Sequence, residues 1–127
     1  MINKPIEKYE NLMNLLYQYE FYNTKDFYEY ELLDEDTKEV FNDILNQLES
    51  IDSLISSHLF NYTIDRLNKV DLSIIRIAVY ELIKKEYEAV LVLNQAIEMT
   101  KEYSDLDDEK QHKFTNKLLD SIYKSLK

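Results

Sequence analysis

Asp71-Leu72-Ser73-Ile74-Ile75-Arg76-Ile77-Ala78-Val79-Tyr80-Glu81-Leu82-Ile83-Lys84-Lys85 is the stretch on which the fold turns. Wound as a helix, its apolar side chains cover nearly the whole circumference, and a helix apolar all round belongs at the centre of a domain. The run around Ile74 fits a strand by periodicity alone. Its length, and the absence of glycine from the whole chain, favour a helix. Asp71 reads as the N-cap. Arg76 is the one charge in the middle of this surface, and a lone buried charge costs several kcal/mol unless paired. A carboxylate partner is therefore expected, with Glu98 the first candidate and Glu81 the second.

Outward from this stretch the helical spacing continues in both directions. Downstream, residues 88–103 carry Val90, Leu93, Ala96 and Ile97 on one face. Asn94 interrupts an apolar run there and is expected to satisfy backbone groups of a neighbouring helix. Ser104 to Glu109 reads as a polar loop, and a last helix over about 110–126 shows Phe114, Leu118, Leu119, Ile122 and Leu126. Upstream, Leu59, Ile64 and Leu67 suggest a short helix over 58–68. Residues 37–57 form the clearest amphipathic pattern, through Val40, Phe41, Ile44, Leu45, Leu48, Ile51 and Ile55. The acids of Asp34-Glu35-Asp36-Thr37 suit its N-terminus, where carboxylates meet the positive end of the helix dipole. Residues 6–22 give a first helix. No repeat, linker or low-complexity segment breaks the pattern, so one all-α domain over 1–127 is expected.

Composition narrows the function classes. Without glycine there are no glycine-rich phosphate loops, so Walker and dinucleotide motifs are excluded, and primed hairpin turns lose their cheapest residue. Without cysteine there is no thiol or disulfide chemistry, which fits a reducing compartment. No apolar run approaches the roughly 20 residues of a membrane span, and no secretion signal opens the chain, so a cytoplasmic location is expected. His58 and His112 have no second ligand at helical metal-site spacing, and no nucleophile stands on a strained turn beside a base. Neither a cofactor nor catalysis is expected.

The formal charge of −10 is unevenly spread. Residues 1–60 hold four lysines against 13 acids, whereas residues 110–127 hold five lysines against Asp120 alone. An acidic chain is repelled by nucleic acid on average, but a local basic face still binds phosphate.

Four motifs, in order and spacing, resemble those of the NusB family of bacterial transcription antitermination factors. Leu16-Tyr17-Gln18-Tyr19-Glu20 matches the Leu-Tyr-x-x-Glu of that family's first helix. Ile75-Arg76-Ile77-Ala78-Val79-Tyr80-Glu81-Leu82 resembles its Leu-Arg-x-Ala-x-Tyr-Glu-Leu. Leu93-Asn94-Gln95-Ala96-Ile97-Glu98-Met99-Thr100-Lys101 is similar to its Ile-Asn-Glu-Ala-Ile-Glu-x-Ala-Lys, and His112-Lys113-Phe114-Thr115-Asn116-Lys117-Leu118-Leu119-Asp120 to its Lys-Phe-Val-Asn-Gly-Val-Leu-Asp. The chain length also matches that of a complete member. The resemblance implies an all-α fold of about seven helices in two packed halves. It implies a NusE-type small-subunit ribosomal protein as partner, boxA-like single-stranded RNA as ligand, and RNA polymerase as an indirect partner.

The resemblance also directs attention to RNA-binding residues. The family's first helix opens with an arginine cluster. Here the stretch reads Pro5-Ile6-Glu7-Lys8-Tyr9-Glu10, with Lys4 and Lys8 as its cations. Tyr17, Tyr103 and Phe114 match aromatic positions near which the family receives RNA, and aromatic faces stack on unpaired bases. Core packing is the competing role for Phe114. Lys110, Lys113 and Lys117 share one face of the last helix, open either to phosphate or to plain solvation. A basic face joining Lys4, Lys8, Lys113 and Lys117 would favour an RNA adaptor. Dispersal of these lysines would favour a protein-only scaffold of the same fold.

Overall fold

The computed structural model describes residues 6–24, 26–104 and 110–127. Among them are seven α-helices and no strand: α1 (Ile6–Tyr22), α2 (Tyr28–Glu31), α3 (Glu35–Asn46), α4 (Leu48–Ser57), α5 (Lys69–Lys84), α6 (Ala89–Tyr103) and α7 (Lys110–Ser125). A 3-10 turn at Ile64–Arg66 lies between α4 and α5.

Helix α5 is central, as its sequence demands: every residue from Asp71 to Leu82 is buried. It packs against α1, α3 and α4 on the amino-terminal side and against α6 and α7 on the other, so two halves meet along it. Leu12, Leu15 and Leu16 of α1, Phe41 and Ile44 of α3, and Ile51 and Ile55 of α4 enter this core. Val92, Ala96 and Met99 of α6 and Leu118, Leu119 and Ile122 of α7 close it. Each large apolar side chain so buried contributes about 1.5–3 kcal/mol.

Local chemistry sets the helix boundaries, sometimes against the sequence reading. Asp34 caps α3 by accepting a 2.7 Å hydrogen bond from the Thr37 amide, and that bond holds its carboxyl below the usual range. Asn68, not Asp71, caps α5, its side chain accepting from the amides of Val70 and Asp71. Asp71 lies buried inside the first turn. The expected helix over 37–57 is two helices divided at Gln47, whose backbone leaves helical geometry at ψ 9°. Over 58–68 the expected helix shrinks to the 3-10 turn. His58 ends α4, its Nδ1 2.7 Å from the Ser121 hydroxyl of α7. Asn94 is exposed on α6 rather than serving a neighbouring backbone. Three described residues take the left-handed conformation that glycine would favour: Asn23, Asn61 and Lys85. Lys85 terminates α5 in this way.

The partner of Arg76 is neither Glu98 nor Glu81. Its guanidinium grips Asp52 of α4 with two bonds, at 2.9 Å from Nε and 2.8 Å from Nη2, and Glu20 of α1 at 2.7 Å from Nη1. Glu20 also meets Lys69, at 3.5 Å. Arg76 is only 4% exposed. Burial works to depress its pKa, but hydrogen bonds and charge from Asp52 and then Glu20 outweigh that effect and raise it. This cluster ties α1, α4 and α5 together. It also accounts for a residue in each of two sequence motifs, Glu20 at the end of the first and Arg76 as the arginine of the second. Glu98 sits on the exposed surface of α6 beside Lys101. Glu81 accepts a hydrogen bond from the buried Tyr9 hydroxyl, and burial first, then that bond, pushes the phenol pKa up.

Candidate nucleic-acid interface

Eight residues were singled out by sequence for RNA, and the structure sorts them by face. Lys4 lies outside the described residues. Lys8 projects toward α3, where its ammonium pairs with Asp36 at 2.6 Å. At about 100° of rotation per residue, nine residues place Tyr17 on the opposite face of α1 from Lys8. Tyr17 is 40% exposed, with the Phe21 ring one turn further on at 5.0 Å between centroids. Lys8 and the Tyr17–Phe21 pair of α1 therefore do not form one surface.

Seven residues back from Tyr17, on the same face of α1, stands Glu10. It accepts a hydrogen bond from the hydroxyl of Tyr103, the last residue of α6. This bond pushes the Tyr103 phenol up to about 12 and fixes the ring while leaving it exposed. Tyr103 ends α6 and Lys110 opens α7, so both stand at the same end of the packed α6–α7 pair.

Helix α7 presents Lys110, Lys113 and Lys117 on its exposed side, while Thr115, Leu118, Leu119 and Ile122 face the core. Phe114 lies between the two environments. It is partly buried against the core, and its ring stands 6.2 Å from that of Tyr62. Both roles weighed for Phe114 thus have a surface available. Residues Lys110 to Leu119 include no acid, so this face is locally basic on an acidic chain.

A groove of about 240 Å³ lies elsewhere, between α1, α3 and α5. Its polar groups are largely satisfied within the chain. Lys8 pairs with Asp36, Tyr9 donates to Glu81, and Tyr80 donates to Asp43 at 2.6 Å, with Lys84 at 3.7 Å from the same carboxylate. These contacts brace three helices. Among the described residues no group of three or more His, Asp or Glu side chains is placed to hold a metal ion, and no helix is long and apolar enough to cross a membrane.

Among the described residues the body is all-helical, with a braced core and a basic, aromatic edge on α7 of the kind that macromolecule-binding modules present. The NusB family profile matches residues 7–124. The chain belongs to the NusB family. The transcription antitermination protein NusB of Clostridium botulinum is 43% identical over 88 residues, 68% of this chain and 64% of that protein. Its counterpart from Campylobacter jejuni is 32% identical over 127 residues, covering 93% of this chain and 94% of that protein. Among solved structures, T. maritima NusB superposes with a TM-score of 0.81 at 31% identity, over 97% of this chain and 93% of that one. A chain from a structure of the antitermination factors NusB and NusE in complex with dsRNA superposes with a TM-score of 0.77 at 27% identity, over 94% of this chain and 96% of that one.

Two features of the site escaped the sequence reading. Phe21 extends the exposed aromatic surface of α1, and helical spacing from Tyr17 could have found it. The ring of Tyr62 against Phe114 joins segments 52 residues apart, and no local pattern signals that contact.

Proposed function

We propose that this chain is a single-domain, non-catalytic, cytoplasmic adaptor in transcription antitermination of ribosomal RNA operons. It pairs with a NusE-type ribosomal protein and holds boxA-like RNA, keeping both near the elongating RNA polymerase. The observation that carries this reading is the acid-free run of α7, with Lys110, Lys113 and Lys117 around Phe114, on a chain of net charge −10. Membership of the NusB family supports it, as does the likeness to a NusB chain crystallised with NusE and dsRNA. The exposed rings of Tyr17 and Tyr103 favour a single strand for this chain, because only unpaired bases offer their faces.

In this arrangement α7 lysines meet phosphates, while Tyr17, Tyr103 and the outer side of Phe114 meet bases. Lys8 contributes less, because Asp36 already neutralises it. Binding by the chain alone is therefore weak, and a basic partner supplies the missing charge. That same Lys8–Asp36 pair favours a second reading, a protein-only scaffold whose RNA site has decayed. A titration of boxA-like RNA, with and without the NusE-type protein, separates the two. The adaptor reading expects poor binding alone and cooperative binding with the partner. No detectable RNA binding by the complex leaves the scaffold.

A further inference from the structure

The loop between α4 and the 3-10 turn reads His58-Leu59-Phe60-Asn61-Tyr62-Thr63 and holds no Lys, Arg, Asp or Glu. Phe60 is 83% exposed and Tyr62 53%. One exposed aromatic is unremarkable in a folded chain. What distinguishes these two is their setting. Asn61 between them takes a left-handed conformation at φ 62°, which Asn tolerates better than most residues. The Tyr62 ring packs on Phe114, which itself lies one turn from both Lys110 and Lys117 on α7. The loop thus sets exposed aromatic faces beside the basic, acid-free run of α7. Charge on one side and π-faces on the other is the pairing that a single-stranded nucleic acid requires.

We propose that Phe60 and Tyr62 form a second base-stacking element, receiving unpaired bases of the same strand whose phosphates follow α7. This rests on the RNA-binding reading above and extends its surface across to the amino-terminal half of the fold. The occupant is single-stranded RNA rather than protein, because the adjoining run Lys110 to Leu119 of α7 carries three lysines and no acid, and the loop itself offers no ion-pair partner.

The chain contains no tryptophan, so Phe60→Trp introduces a single indole at the site. With the NusE-type protein bound, boxA-like RNA should quench the added emission with the midpoint of overall binding. Phe60→Ala should weaken RNA binding by roughly 5- to 150-fold, the range expected for one lost stack, with the salt dependence unchanged. Because Phe60 is so exposed, its melting temperature should match the parent's, whereas Tyr62→Ala also loses packing on Phe114. If Phe60→Trp shows no RNA-dependent change and Phe60→Ala keeps parental affinity while Lys117→Glu loses it, the loop lies off the RNA path. The RNA-binding reading then stands without it. If Phe60→Ala weakens docking of the NusE-type protein in the absence of RNA, the loop is a protein contact and the proposal is overturned. If the parent complex binds no RNA, the underlying reading falls and this proposal falls with it.

Discussion

The Arg76 cluster and the α7 face are both cationic, yet they use charge in opposite ways. Arg76 is buried, and its fork is filled by Asp52 and Glu20 from two other helices. Lys113 and Lys117 stand on an exposed face beside the partly buried ring of Phe114, in a stretch with no acid. A buried guanidinium needs its counter-charge inside the fold, because desolvation leaves no alternative. An exposed ammonium keeps most of its hydration and needs no buried counter-charge. The first arrangement specifies how α1, α4 and α5 pack; the second presents a surface. Lys8 falls between them, as a cation of the first helix held by Asp36.

The largest effect should come from breaking the buried side of this contrast. Arg76→Ala leaves Asp52 without its counter-charge and Glu20 with Lys69 alone. We expect a loss of about 3 kcal/mol, read as a fall in Tm on the order of 10 °C. A variant melting within a degree or two of the parent would show that the cluster does not hold the helices. Next comes Tyr17→Ala, which should reduce RNA affinity by about 1–3 kcal/mol in the presence of the partner, with salt dependence unchanged. Unchanged affinity would remove Tyr17 from the binding surface.

Lys8→Ala sharpens the boundary between the two regions. As one member of a surface ion pair, Lys8 should contribute under about 1 kcal/mol to stability, and its loss should weaken RNA binding less than Lys117→Glu does. A larger loss than at Lys117 would move the phosphate path onto the α3 side of α1. The smallest effect concerns acid. The Tyr80 hydroxyl first, with lesser help from Gln47 and Lys84, holds the Asp43 carboxyl below its ordinary value. A depressed folded-state pKa contributes stability above about pH 4, lost as pH falls through the folded-state value. The gap in melting temperature between the parent and Tyr80→Phe should therefore narrow from pH 7 to pH 3. A gap constant across that range would mean the hydroxyl acts only by packing.

What could be read before the fold was known follows the same division. Helix α5 was legible because an apolar circumference has one stable location, and the charge of Arg76 announced its own pairing. The identity of the partner was not legible. Glu98 and Glu81 are nearer in sequence, but Asp52 and Glu20 are brought in by the crossings of α4 and α1, which no local spacing encodes. Similarly, the break at Gln47 interrupts a pattern that stays amphipathic through it, so periodicity alone runs the two helices together. Asp71 was read as the cap because its residue type suits one; that Asn68 takes the position is decided by how the chain enters the helix. On the α7 side, the lysine spacing was plain, but the attachment of Tyr62 to Phe114 belongs to tertiary structure. The pairing of Lys8 was not legible either, because its partner, Asp36, lies 28 residues away.

The most direct test of the contrast is the salt dependence of boxA-like RNA binding to the complex with the NusE-type protein, for the parent and for Lys113→Glu/Lys117→Glu. If both lysines meet phosphate, the double variant should bind all sequences more weakly. The slope of log affinity against log salt should flatten by about 1.4, at roughly 0.7 per contact to a single strand, while the melting temperature stays near the parent's. An unchanged slope and affinity would contradict the account and take the strand away from α7.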